Sequence, residues 1–156
     1  MGLLLAVRYW AGRTAPDAAQ PLADGEYRVV RVIDGDTLIV APDTTIRLIG
    51  VNTPETVKPE HPVEPWGPEA TSFTRQFLTG GLARLAFDRE RVDRFGRFLA
   101  YVWVDDRMLN EELVRNGLAR FEPQFQYAEP IKTRFRAAQK AAQAAGLGIW
   151  SQPDEH

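Results

Sequence analysis

The sequence predicts an α+β fold, a five-stranded β-barrel of the OB type with about three packed α-helices. Two observations lead there. Five short apolar segments are set apart by turn residues, and three of them follow one another almost without a gap. Helix-patterned stretches lie between and after the strands, opened by proline or closed by glycine. At 156 residues, 44% hydrophobic and 26% charged, the chain fits one soluble domain with an ordinary core, expected over residues 25–151.

Taken in order, the first ten residues are apolar but no basic segment precedes them. Arg8 halts the run short of the roughly 7–15 residues of an export signal. A start codon placed downstream of the true one would leave such a remnant. Residues 11–24 are rich in Ala, Pro, Asp and Gln, so 1–24 reads as an N-terminal arm or the remnant of an export segment, and 152–156 as a tail. Tyr27–Ile33 alternates apolar and polar side chains, and Asp34-Gly35 turns the chain. Leu38–Ala41 and Ile46–Val51 continue as strands around a Pro42-Asp43 turn.

Residues 52–68 hold Pro54, Pro59, Pro62, Pro65 and Pro68, which excludes a helix or central strand and leaves a long loop. Pro68 opens a helix with Phe73, Phe77 and Leu78 on its apolar face, closed by Gly80-Gly81. Leu82–Phe87 and Phe98–Val104 are the last two strands. A helix over Met108–Asn116 turns Leu109, Leu113 and Val114 inward and stops at Gly117; another runs from Pro130 to Ala145 and stops at Gly146.

Composition narrows function before any motif is weighed. No apolar run approaches the roughly 20 residues that span a bilayer, so stable membrane insertion is not expected. The absence of cysteine removes disulfides and thiolate metal sites. A net charge of −2 and a pI near 5.7 exclude nucleic-acid binding driven by overall basicity. Recognition of a polyanion must then rest on a few placed arginines and a metal. Arg84, Arg89, Arg91, Arg94 and Arg97 crowd one stretch, and Lys132, Arg134, Arg136 and Lys140 another, the latter read as a solvated face.

Two short stretches combine carboxylates suited to a hard cation with an arginine suited to a phosphate. Asp34 and Asp36 bracket Gly35, and either can form the turn or project from the barrel. Asp36 gains weight from Thr53 and Glu55 just past the third strand. Arg47 sits in an apolar run, pointing opposite to Ile46 and Leu48, as an outward surface residue or a partly buried bidentate anion ligand. Glu55, exposed and without a local partner, can orient or deprotonate water. Arg97 follows Gly96 at a strand start, either over a phosphate or keeping a sheet edge soluble. Phe95 stacks on a base or caps the core, and Phe125 and Tyr127 form a base platform or pack under the last helix.

The series 33–37, 47–55, 67–70, 93–97 and 113–119, extending to Gly148-Ile149-Trp150-Ser151, resembles the staphylococcal nuclease (thermonuclease) family in five motifs in the right order. The resemblance covers roughly Tyr27 to Ser151. It implies a calcium-dependent hydrolase of DNA and RNA that leaves 5′-hydroxyl and 3′-phosphate ends. Calcium would sit on Asp36, the Thr53 carbonyl and the position of Asn52; Glu55 would handle the attacking water, and Arg47 and Arg97 the phosphate. Arg94, Phe95, Phe125 and Tyr127 would lie near the nucleotide. The resemblance favours a secreted or periplasmic, monomeric protein.

Two departures matter. Asn52 replaces an acidic ligand, and Phe95 and Phe125 stand where the family has tyrosines. Losing a unit charge about 4 Å from an ion is worth roughly 4 kcal/mol at an effective dielectric of 20, before desolvation offsets much of it. Weaker calcium binding follows. The rival readings are a catalytically weak or inactive module of the same fold that binds nucleic acid or protein, kept alive by Asn52, and a glycosidase using Asp36 and Glu55, which has no need of two arginines.

Overall fold

Strand β1, Gly25–Asp34, is long enough to serve two neighbours. Its end pairs antiparallel with β2 (Thr37–Val40), and its start with β5 (Leu82–Ala86). Register shifts between Val29 and Arg31 and between Val32 and Asp34 let it bend from one partner to the other. In the computed structural model, which describes residues 22–151, β3 (Thr44–Leu48) continues the meander beside β2. The arm, apart from Leu22–Asp24, and the tail lie outside the described residues.

Closure comes from β6 (Phe98–Val104), antiparallel to β5 and parallel to β3, with Ile46 opposite Phe98 and Leu48 opposite Ala100. Five strands, β1-β2-β3-β6-β5, form the barrel that the sequence predicts. Leu38, Val40, Ile46, Leu48, Leu85, Leu99 and Val102 are all buried in its core. Alternating patterns fail on β2 and β3 because both faces are covered.

The third strand ends at Leu48, three residues earlier than its apolar run suggests. Gly50 turns the chain at φ 77°, and β4 (Val51–Asn52) leaves the barrel to pair with β8 (Arg120–Phe121). Glycine is needed there twice over, since a Cβ would also stand 2.6 Å from the Tyr127 ring.

Helix α1 (Gly67–Phe77) contains Pro68 in its first turn and is followed by buried Leu78, both as predicted, but Phe73 and Phe77 do not form its inward face. Ala70, Thr71, Thr74 and Leu78 face inward, while Phe73 and Phe77 stack on each other at 6.2 Å, half-buried. The reason is the close approach of the helix to the turn after β1. The Thr74 hydroxyl donates to the Gly35 carbonyl at 2.6 Å, and a Cβ on Gly35 would stand 2.8 Å from Ala70. Only small side chains fit this contact.

After β7 (Arg107–Met108), α2 (Leu109–Arg115) packs on α3 (Glu129–Ala144), each within a residue or so of its predicted bounds. The two-residue strands β4, β7 and β8 carry no periodic signal and were not expected. No helix among the described residues is long and apolar enough to cross a membrane.

Helix α2 is fastened to the barrel by buried Asn110. Its amide donates to the carbonyls of Ile49 (3.0 Å) and Ala100 (3.1 Å), and its oxygen accepts from the Val102 N–H at 3.0 Å. Asn110→Ala takes the partner from the Ile49 carbonyl and the Val102 N–H, while the Ala100 carbonyl keeps the Ile49 N–H. The expected loss is about 2–4 kcal/mol of unfolding free energy, read from urea titration.

Candidate active site

The turn between β1 and β2 delivers the first carboxylate. Asp34 accepts the Asp36 N–H at 3.2 Å, the turn-forming role foreseen for it. Asp36 then lies buried where β2 starts, its backbone carbonyl accepting from the Leu48 N–H at 2.9 Å. Its Oδ1 accepts from the Thr37 hydroxyl at 3.0 Å and its Oδ2 from the Thr53 N–H at 2.8 Å. The Arg47 guanidinium is 3.2 Å from Oδ2. Thr37 is the register partner of Arg47, so the β2–β3 pairing itself brings acid and base together.

Arg47 is only 7% exposed, which overturns the outward surface reading. The partly buried reading holds, with a qualification: the fork faces protein. Nη1 donates to the carbonyls of Leu48 (2.6 Å) and Val51 (2.7 Å), and Nη2 to Asn52 Oδ1 (2.9 Å) as well as facing Asp36. Counting five N–H groups on a guanidinium, only Nε–H is without a partner among the described residues. The early end of β3 causes this, because the chain folds back over the side chain and presents its carbonyls to it.

Glu55 is half-buried and far from unpaired, contrary to expectation. Its Oε1 accepts three backbone amides, Thr56 (3.0 Å), Val57 (2.9 Å) and Lys58 (3.0 Å). Glu64 reinforces the bend, its carboxylate taking the Glu55 N–H at 2.9 Å while its own N–H donates to the Glu55 carbonyl at 2.9 Å. In a loop barred from helix and strand by proline, amide groups remain free to converge on a side chain. Oε2 of Glu55 has no hydrogen-bond partner among the described residues.

Arg97 precedes Phe98, the residue opposite Ile46 on β3. It thus sits at the entrance to β6, one residue outside the pairing with the strand that carries Arg47. Nε donates to Asp93 Oδ2 at 2.7 Å, while Asp93 Oδ1 takes the N–H groups of Phe95 (2.8 Å) and Arg97 (3.0 Å). The two terminal nitrogens of Arg97 have no hydrogen bond among the described residues. Phe95 is 68% exposed, with the Arg94 guanidinium 4.7 Å and that of Arg97 5.4 Å from its ring centre. Core capping is thereby excluded for Phe95.

Of the other two aromatic candidates, Tyr127 is corrected. Tyr127 is fully buried, packed against Tyr101 and Phe135, its hydroxyl donating to the Glu122 carbonyl at 3.0 Å. It has no face to offer a base. Phe125 is half-buried against the core. Tyr127 belongs to the packing beneath α3, which a bare Phe-x-Tyr spacing does not separate from a platform.

Two carboxyls at this site, Asp34 and Asp93, depart from their usual range. Burial, then the charge of Asp36 beside it, pushes Asp34 up to about 7. Asp93 goes the other way: burial alone would raise it, but the Arg97 and Phe95 amides and the Arg97 guanidinium outweigh burial and hold it below the ordinary carboxylate value.

For a divalent ion the donors at hand are all hard oxygens: the Asp36 carboxylate, the Asn52 amide oxygen and the Thr53 carbonyl. Two carboxylates crowded at a buried turn, one of them forced toward its neutral form, are relieved by a cation, so the residues fit one. The fit is lean. No three His, Cys, Asp or Glu side chains gather into a cage among the described residues. Arg47 already donates to both Asp36 and Asn52, so a cation there competes with it.

Sequence reasoning missed Asp93 and Glu64, the groups that hold Arg97 and Glu55 in place. Asp93 lies four residues before Arg97, within the 93–97 motif, and that spacing is the one signal that points to it.

A closed five-stranded barrel with an acid–arginine cluster where β3 ends defines a phosphodiester-cutting hydrolase. The family described as staphylococcal nuclease homologue matches residues 45–152. The chain is 50% identical over 131 residues to the thermonuclease of Staphylococcus hyicus, covering 80% of this chain and 75% of the relative. It is 48% identical over 132 residues to that of Staphylococcus intermedius, with 81% and 76% covered. Endonuclease YncB of Bacillus subtilis (strain 168) is 35% identical over 153 residues, with 90% and 71% covered. The chain belongs to the staphylococcal nuclease family and is a nuclease.

The lowered titration of Asp93 has a testable consequence. A depressed carboxylate contributes stability above its unfolded value, near 3.9, and loses it as pH falls through the folded value. Asp93→Asn is expected to cost about 1–2 kcal/mol at pH 7. In denaturant titrations the gap between the two proteins should close below about pH 4.

Proposed function

We propose that this nuclease hydrolyses DNA and RNA in a calcium-dependent reaction, by in-line attack of water on phosphorus, leaving 5′-hydroxyl and 3′-phosphate ends. The observation that carries the reading is the contact set joining Asp36, Arg47, Asn52 and Thr53, two residues before Glu55. Asp36, Asn52 and the Thr53 carbonyl would hold the calcium, whose charge offsets that of a non-bridging phosphate oxygen.

Glu55 is the base. With Oε1 fixed by three amides, Oε2 is left to orient a water and take its proton as the new phosphorus–oxygen bond forms. The free ends of Arg97 receive the equatorial oxygens, where charge grows as the bond to the 5′ oxygen breaks. Arg47 contributes from inside the wall, through its charge and its remaining Nε–H. The 5′ oxygen departs with the bonding pair and takes a proton from solvent water to become the hydroxyl, and Glu55 returns to solvent the proton it took.

Glu55→Gln keeps an oxygen for the three amides but removes the base. Its folding should match the parent, while plasmid cleavage in calcium falls about 10²–10³-fold. Cleavage at the parental rate refutes the assignment.

Asn52 sets the affinity for the ion. Restoring a carboxylate with Asn52→Asp should tighten calcium binding about tenfold or more in calorimetric titration, since a nearby unit charge is worth on the order of 1 kcal/mol or more after desolvation. An unchanged dissociation constant would place the ion elsewhere.

A further inference from the structure

A groove of about 470 Å³ opens directly beside the cluster just described, sharing Asn52 and Thr53 as one of its walls. Its other lining is unlike the rest of the site. Pro54, Pro65 and Ile149 are apolar, Trp66 offers an indole, and Arg120 brings a cation. Neither Phe95 nor Arg97 lines it, so it is separate from the exposed turn at 93–97.

Trp66 is held there at some cost. It adopts φ 71°, a left-handed conformation that side chains other than glycine rarely take, at the residue that starts α1. Its indole stays 37% exposed although a large apolar core lies nearby. Gly67 follows with no room for a side chain, since a Cβ would stand 2.5 Å from Thr56. The backbone is thus wedged against the 54–56 segment in a way that keeps Trp66 in the groove wall.

Arg120 comes from the opposite side. β8 is fixed to β4 with Arg120 opposite Asn52, and its guanidinium lies 4.5 Å over the Trp150 ring. Among the described residues it forms no ion pair. Glu64, also in the lining, has its carboxylate on the Glu55 N–H, and its charge keeps an anion away from that end of the groove. Apolar walls with an indole at one side, a cation at the other and a carboxylate excluding phosphate from the loop side together suit one nucleotide of a single strand.

We propose that this groove is a nucleotide subsite, in which a base of the substrate strand next to the scissile phosphate stacks on Trp66 and its phosphate pairs with Arg120. The inference rests on the nuclease reading above and names how that site grips a strand longer than the bond it cuts. An indole accepts any base face, so the subsite adds affinity with little sequence preference.

Two measurements test it. The first is steady-state cleavage of a ten-nucleotide single-stranded DNA beside a mononucleotide aryl phosphodiester too short to reach the groove. Trp66→Ala and Arg120→Ala should each raise KM for the oligonucleotide about tenfold, a stacking-sized effect. The rise for the aryl ester should stay under about twofold by the same measure. Trp66→Phe, which keeps an aromatic face, should restore the oligonucleotide KM. Equal losses on both substrates, or no rescue by phenylalanine, would overturn the subsite. The second is binding of the same oligonucleotide in chelator, read by tryptophan fluorescence. Quenching should be present in the parent and largely absent in Trp66→Phe. Equal quenching in both proteins rejects the groove even if cleavage is calcium-dependent. Quenching that depends on Trp66 in a protein inert with calcium would reject the calcium reading and keep the groove.

Discussion

One buried cation organises this end of the barrel. Arg47 is buried, and a guanidinium taken out of water is tolerated only with its charge and its donors answered. The answers come from four places in the chain: Asp36 at the start of β2, Leu48 at the end of β3, and Val51 and Asn52 on β4. Each of those groups is therefore fixed relative to the others. Thr53 follows and donates its own amide to Asp36, which sets where the loop toward Glu55 begins. A neutral side chain at position 47 would leave the buried Asp36 carboxylate without its counter-charge and would take this donor from the Leu48 and Val51 carbonyls.

The same logic explains how a chain of net charge −2 handles a polyanion. It does not rely on a broad basic field. Cations are placed singly and each is held by a partner that leaves part of it open: Arg97 by Asp93 through Nε, Arg120 over Trp150. Glu55 follows the same pattern with opposite sign, one oxygen fixed by backbone amides and the other left free. Groups held this way need little rearrangement when charge develops nearby, which is the condition for electrostatic catalysis. Other arginines of the 84–97 stretch are spent on structure, Arg84 over Trp103 and Arg89 on the Tyr127 carbonyl.

What could be read in advance follows from range. The five barrel strands and three helices were legible because each is long enough for a pattern of apolar residues, proline and glycine to declare it. The members of the acid–arginine cluster were legible as residue types within short motifs, and strand pairing brought them together. Less visible was anything decided by packing. Phe73 and Phe77 look like the inward face of α1, yet the contact with Gly35 admits only Ala70 and Thr74. Tyr127 looks like a platform, yet it fills the space that Gly50 leaves open. Nor does the sequence reveal that Arg47 is enclosed, because that depends on β3 stopping three residues short of the apolar run and β4 pairing with a two-residue strand far along the chain.

The exchange of acid for amide at position 52 makes sense in this setting. Asn52 gives its oxygen to Arg47 without adding charge, so the guanidinium balances a single carboxylate, Asp36. A second carboxylate there would make the site more attractive to a divalent ion, and would also bind Arg47 more tightly to the wall. The two effects oppose each other with respect to a phosphate, since stronger ion binding helps it while a more firmly engaged arginine offers it less. With Asp34 already pushed up to about 7 by burial and by its neighbour, another negative charge at this turn would raise the cost of keeping the site empty of cation. The neutral oxygen at 52 therefore favours a site that stays folded while empty, and would hold the calcium proposed above less firmly than a carboxylate would.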